Sequence, residues 1–323
     1  MAKATAAGRV RPLKVGLFLP GAEEMASGTT PGWSDLLTMA RLAEAVGFDS
    51  LWLPDHLLVR LWMPGWEGRL VGGIECWSLL AALAAATERV ELGPLVSCNS
   101  FRNPALLAKM ADTVDEISGG RLILGLGAGW HEPEYDAFGF PFDHRVSRFA
   151  EALQIIVPLL RTGRVDFAGR YYSARECELR PRGPRQGGPP ILVGAHGERM
   201  LRLTAEYADA WNADWYVHPE QVGAVREEVD AACAAVGRDP ATLERTLALL
   251  IDAPGWRPRP GADWPTVMRA GNPPPASGSP EELAELLRGF AGVGIAHVQI
   301  WLEPNTVAGI EAFAPVLHEL DRS

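Results

Sequence analysis

Asp55 and His56 stand side by side after an apolar run and put a carboxylate next to an imidazole. An imidazole titrates near neutrality and can give or take a proton, so the pair is a candidate for general acid–base work; the plainer reading is a surface histidine closing a turn. A second candidate is Gly194-Ala195-His196-Gly197-Glu198, which leads straight into a helical pattern. Its glycines let backbone approach an anion and the first helical N–H groups point at it, although a tight strand-to-helix turn would read the same way. Gly125-Leu126-Gly127-Ala128-Gly129-Trp130 suggests a dinucleotide fingerprint but fails it, because the third glycine would fall on Trp130 and the run is not the first strand–helix turn. These glycines fit a flat cofactor lying against backbone better. His131, Glu132, Glu134, Asp136, Asp143 and His144 are metal-ligand types, but their spacing matches no standard pattern and Pro133 interrupts any helical face. A solvated loop and no metal site are expected there. Among eleven tryptophans, Trp62, Trp66, Trp77, Trp130 and Trp215 fall in or near expected loops and could wall a pocket for a planar ligand; core packing is the alternative for any one of them.

These residues need a scaffold, and the pattern supplies one. Strands are expected at 14–19, 49–53, 90–96, 121–126, 190–193, 209–212, 243–251 and 297–302. Helices are expected at 33–47, 75–88, from Asn103-Pro104 to Gly119-Gly120, and at 148–160, 198–207, 219–236, 280–290 and 307–320. Alternation of this kind implies a parallel sheet, and eight such units fit an α/β fold of the (β/α)8 TIM-barrel type better than an open sheet. Three stretches exceed the repeat and read as inserted loops: 57–73, 163–188 (a hairpin and loop) and 253–279. Residues 1–13 read as a flexible tail and 14–323 as one barrel domain. In a barrel, the C-terminal strand ends carry the chemistry. Here those ends hold Asp55-His56, Ser97-Cys98, Ala128-Gly129-Trp130, Gly194–Glu198 and Asn212-Ala213-Asp214.

The 323-residue chain is 47% hydrophobic and 22% charged, which is ordinary for a globular protein. Its net charge of −10, without a basic block, argues against nucleic-acid or anionic-membrane partners. Four scattered cysteines without a CxxC pair suit a reducing compartment, and the N-terminus lacks a secretory apolar core. No apolar stretch is long enough to span a bilayer. A cytoplasmic protein is expected.

Four runs, in order, resemble the luciferase-like monooxygenase family. They are Phe48-Asp49-Ser50-Leu51-Trp52-Leu53-Pro54-Asp55-His56, the stretch 93–109 with its Asn103-Pro104 helix start, Ser118-Gly119-Gly120 through Gly129-Trp130, and Ile191 through Arg199 continuing to Asn212. The resemblance covers residues 14–215 by motif and the remainder by topology. It implies a (β/α)8 barrel binding FMN or the deazaflavin coenzyme F-420, and Asp55-His56 with Trp130 look more like the deazaflavin branch. There the position of His56 lies beside the reactive face of the ring and is implicated in proton or hydride chemistry, with Asp55 fixing its tautomer or touching the ring. Ser97, Ala128 and Gly129 resemble positions that contact the deazaflavin. Gly194, Ala195, His196, Gly197, Glu198, Arg199 and Met200 resemble the phosphate cradle. Trp62, Trp77 and Trp130 are expected to wall the substrate pocket. In the family's sugar-phosphate dehydrogenase a glutamate stands where this chain has Trp130, which implies a more apolar or aromatic small-molecule substrate here. Some relatives carry a non-proline cis peptide that aligns near Pro94-Leu95.

The resemblance also implies a homodimer, with a separate flavin or deazaflavin reductase as a further partner. The expected activity is coenzyme F-420-dependent hydride transfer. The rivals are an FMN-dependent monooxygenase using reduced FMN and oxygen, a non-catalytic flavin-binding protein, and a hydrolytic barrel using paired carboxylates.

Overall fold

The computed structural model describes residues 11–22, 30–60, 68–213, 215–256 and 275–322. It opens with β1 (Lys14–Phe18), α1 (Trp33–Val46) and β2 (Ser50–Leu53). A short antiparallel hairpin follows, β3 (Leu58–Arg60) on β4 (Leu70–Gly72). Next come α2 (Cys76–Ala86), β5 (Glu91–Pro94), β6 (Ser97–Cys98), α3 (Pro104–Ser118), β7 (Leu124–Gly127), α4 (Glu132–Phe138) and α5 (Arg145–Thr162). A second hairpin, β8 (Arg164–Ala168) and β9 (Ser173–Glu178), fills the expected insertion. Then β10 (Ile191–Gly194), α6 (Glu198–Tyr207), β11 (Ala210–Ala213), α7 (Val222–Ala235) and β12 (Glu244–Asp252) lead to α8 (Pro280–Gly292), β13 (His297–Glu303) and α9 (Val307–Leu320).

The main sheet runs β5-β2-β1-β13-β12-β11-β10-β7-β6, every pairing parallel. Its two end strands are halves of one segment, residues 91–98. β5 pairs with β2 and β6 with β7, and Leu92 bridges Leu122, so the ends meet and the sheet closes into an eight-stranded (β/α)8 barrel. Between the halves the Leu95–Val96 peptide is cis, one bond beyond the place the resemblance indicated.

Local chemistry explains the helix ends. Asn103 Oδ1 accepts from Ala105 N at 2.9 Å and Leu106 N at 3.3 Å, Pro104 opens α3 where no N–H is needed, and Gly119 (φ 68°) closes it. Ser279 and Glu282 form a capping box at α8. The outward face of the barrel, with Leu51, Leu92, Leu124, Val193 and Ile300, packs on the helices in one continuous core. Inside the barrel Phe18, Trp52, Ile123, Leu192 and Ala210 cluster, with half-buried Leu95, Val96 and Trp301 packed on them.

Two expectations are corrected. Residues 11–13 are not tail: Leu13 is buried, and Arg11 pairs with Asp321, with Asp49 at 3.0 Å and with the Gly47 carbonyl at 2.7 Å. The run 132–138 is a helix, α4, because Pro133 sits in its first turn, where a missing N–H costs no bond. Among the described residues no helix is long and apolar enough to cross a membrane.

Candidate functional site

The strand ends bring two elements together at the barrel mouth. His56 follows β2, and Glu134 sits on α4 just beyond β7. His56 Nδ1 lies 2.9 Å from Glu134 Oε1. Glu134 is only 2% exposed, and its Oε2 accepts from the backbone of Leu57 at 3.0 Å and of Leu58 at 3.4 Å. The His56 side chain keeps 29% exposure and meets Trp130 edge-on at 5.6 Å. Trp130 itself is 54% exposed.

His131 is buried, and its Nε2 accepts from Arg60 N at 2.9 Å, which fixes that nitrogen without a hydrogen. Burial holds its pKa below the ordinary imidazole value; nearby His56 and Arg60 add to this and Glu134 opposes it. Glu134 and His131, expected in a solvated loop, therefore form the wall of the site and pin the start of the β3–β4 hairpin.

Asp55 plays a different part from the one its sequence position suggested. Its Oδ2 accepts from Ser97 Oγ at 2.8 Å, Cys98 N at 2.9 Å and Arg102 Nη1 at 2.6 Å, and its Oδ1 from Arg102 Nη2 at 3.0 Å. The carboxylate that holds His56 is Glu134, and Asp55 is spent on locking β6 and Arg102. Ser97 is fully buried, its hydroxyl committed between Asp55 and Trp77 Nε1 at 3.1 Å. Trp77 is 2% exposed in the main core, so it backs Ser97 rather than walling a pocket. Trp62 lies outside the described residues.

The glycine-rich β7 is corrected in the same way. A Cβ at Gly125 would strike the Pro94 carbonyl, and one at Gly127 would come within 2.6 Å of Val96 Cγ2. These glycines make room for the bend of the third barrel strand, not for a flat ligand. Gly129 (φ 78°) is required by packing: a Cβ there would collide with the Tyr135 hydroxyl and the Cys98 sulfur. Tyr135 donates to the half-buried Ala128's carbonyl at 3.1 Å, which ties α4 to the end of β7.

On β10, Gly194 is half-buried beside Val96, and Ala195 is buried. His196, Gly197, Glu198 and Arg199 are exposed, and Met200 turns into the core. Gly197 (φ 74°) caps α6 without a side chain, so the helix's first N–H groups are open to an anion. Arg199 donates to Ser147 Oγ of α5 at 2.9 Å and supplies a cation there. Of the expected cradle, residues 196–199 can face a ligand, while Ala195 and Met200 support them from behind.

One wall was not expected as a unit. Trp301 stacks on Phe18 at 4.9 Å and meets Trp215 edge-on at 6.4 Å. With Leu95 and Val96 they give the mouth an apolar floor. Trp301 lies inside a strand, and only the alternation that turns it into the barrel would have marked it. No group of three His, Cys, Asp or Glu among the described residues could hold a metal ion.

A carboxylate-held imidazole, an apolar cluster and an uncapped helix N-terminus thus lie at the C-terminal face of the barrel, the end where such folds carry their sites. Residues 13–251 match the luciferase-like monooxygenases, and the chain belongs to that family. It is 34% identical over 200 residues to a 5,10-methylenetetrahydromethanopterin reductase of Archaeoglobus fulgidus, covering 61% of this chain and 54% of that protein. It is also 34% identical over 227 residues to a phthiodiolone/phenolphthiodiolone dimycocerosates ketoreductase of Mycobacterium kansasii, covering 66% of this chain and 61% of that protein. The matched segment thus spans little more than half the length of these relatives. Among solved structures, an F-420-dependent secondary alcohol dehydrogenase holding an F-420–acetone adduct superposes with a TM-score of 0.76 at 19% identity, over 95% of this chain and 99% of the other. A riboflavin lyase with modified FMN superposes at 0.75 and 17% identity, over 95% and 91%. At these identities the two structures establish the shared fold.

Proposed function

We propose that this chain is a flavin- or deazaflavin-dependent oxidoreductase and, within that class, one that uses coenzyme F-420 to move hydride to or from a small, largely apolar substrate. The observation that carries the reading is His56, held by a buried carboxylate yet open at an apolar barrel mouth. That the matched relatives are a reductase and a ketoreductase supports the redox class.

The residues present fit such a cofactor. The uncapped start of α6 with Arg199 suits a phosphate, and Leu95, Val96 and Trp301 suit the face of a planar ring. The bound ring would supply or accept the hydride. Loss or gain of hydride at a substrate carbon bearing a hydroxyl or carbonyl leaves one proton to move, and His56 Nε2 is the atom to take or give it. Trp130 beside His56 would shield the reacting atoms from water and select against strongly polar substrates. On this reading the chain works as a cytoplasmic homodimer, with a separate flavin or deazaflavin reductase as a further partner.

The deciding measurement titrates the protein separately with oxidised FMN and with coenzyme F-420, following fluorescence. Micromolar or tighter binding of the deazaflavin alone is expected. Preference for FMN, followed by oxygen uptake with reduced FMN, would turn the assignment to a monooxygenase. With a substrate in hand, His56→Ala should lower kcat by about 100-fold or more with little change in cofactor affinity, the range for loss of a general acid–base. Unchanged turnover would remove His56 from the chemistry.

A further inference from the structure

We propose that Glu134 is the positioning residue for His56: it fixes the ring's proton on Nδ1 and leaves Nε2 facing the mouth as the only atom that exchanges the reaction's proton. The proposal rests on the oxidoreductase reading for its chemistry, but its geometry stands without it.

The carboxylate has one role open to it. Its Oε2 is filled by the N–H groups of Leu57 and Leu58, which leaves Oε1, 2.9 Å from His56 Nδ1. A carboxylate is an acceptor, so the hydrogen in this bond belongs to Nδ1. The neutral ring then carries its lone pair on Nε2, and the charged ring donates from that same nitrogen.

The other groups near His56 cannot do this. Asp55 is its chain neighbour, but both its oxygens are turned to Arg102, Ser97 and Cys98. His131 lies 6.5 Å away ring to ring, with Nε2 taken by Arg60 N. Trp130 meets the ring edge-on and carries no charge. Among the described residues, the titratable groups placed against His56 are therefore Glu134 and His131, both from the α4 side. Of the two, Glu134 is the anion, and it is shielded from solvent, so its charge acts on the imidazole with little screening.

The same oxygen pair also fixes where the ring can point. The Leu57 and Leu58 amides follow His56 directly in the chain, so the carboxylate grips both the ring and the backbone behind it. Turning Nδ1 toward the mouth would break the ring's bond to Oε1, while the carboxylate itself stays anchored on the two amides.

The test uses nitrogen-15 histidine spectra of the full chain without cofactor, with the His56 signals assigned by their loss in His56→Gln. In the wild-type protein the neutral ring is expected to carry its hydrogen on Nδ1; a neutral ring with its hydrogen on Nε2 overturns the proposal with no further variant. In Glu134→Gln, which keeps the size and one oxygen acceptor, the tautomer preference should weaken, because the amide's oxygen is drawn to the Leu57 and Leu58 N–H groups and its NH2 turns to the ring. A folded Glu134→Gln protein with an unchanged tautomer also overturns the proposal, and leaves the oxidoreductase reading untouched.

In turnover assays Glu134→Gln should lower kcat by about 10-fold or more while the substrate KM holds. An altered tautomer with unchanged kcat overturns the catalytic half of the proposal. Full activity in His56→Ala would instead overturn the reading on which it rests.

Discussion

Asp55 and His56 share a peptide bond and look in different directions. The Asp55 side chain is wholly enclosed, with four hydrogen bonds from Ser97, Cys98 and Arg102. Arg102 in turn reaches Glu75 at 2.5 Å, and Glu75 caps α2 through Trp77 N and Ser78 N. Burial opposes the Arg102 charge, but Asp55 and Glu75 outweigh it and raise its pKa above the usual guanidinium value. Two ion pairs sharing Arg102 thus join the end of β2, the β6 half-strand and the start of α2. Replacing Arg102 by methionine would leave the Asp55 carboxylate buried without its cation. Removing one partner of a buried pair costs about 3–5 kcal/mol, and urea denaturation should show a loss of that order. A change under about 0.5 kcal/mol, the scale of surface substitutions, would mean that Asp55 does not depend on Arg102.

At the scale of elements, what could be read from sequence was what is encoded locally. The Val307–Leu320 helix and the Asn103-Pro104 start of α3 were legible to the residue, because periodicity and caps lie within a few positions of one another. The third barrel strand read as one run, 90–96, yet it is two halves, and its bend is accommodated by glycines some thirty residues later. Nothing near Gly125 or Gly127 in sequence marks Val96 as their neighbour, so their lack of side chains looked like room for a ligand. The α4 helix was hidden by Pro133, read as a breaker although prolines are favoured in a first turn. Its acids, Glu132 and Glu134, are themselves a first-turn signal that could have corrected the reading. The pairing of Glu134 with His56 spans 78 residues and exists only once the barrel closes. The motif residues could therefore be located from sequence, but not which carboxylate serves the histidine.

The whole barrel is closed around a polar layer as well as an apolar one, and this sets how the molecule answers to acid. His297, on β13, is 1% exposed in the barrel interior, with Nε2 2.7 Å from Ser50 Oγ. Ser50 also accepts from Trp52 Nε1 at 2.7 Å, so its own hydrogen is free to go to the imidazole, which fits a neutral ring. Burial, with a smaller push from Lys14, lowers the His297 pKa to about 3. In the unfolded chain the same group returns to about 6.5. As pH falls below about 6.5 the unfolded chain takes up a proton that the barrel refuses, so stability is full above that value and declines by about 1.4 kcal/mol per pH unit down to the folded pKa. Across that window the loss is of the order of 5 kcal/mol, a large share of a typical domain's stability. His297→Gln keeps a polar side chain in the layer but has no proton to refuse. It should be less stable than the wild type at pH 7, because the packing against Ser50 and Trp52 is disturbed. Its stability should then fall less steeply between pH 6.5 and pH 4.5, where carboxylate titration affects both proteins alike. Urea denaturation of the two proteins across that range measures the difference directly: converging curves place the acid sensitivity at the barrel interior, and parallel curves place it elsewhere.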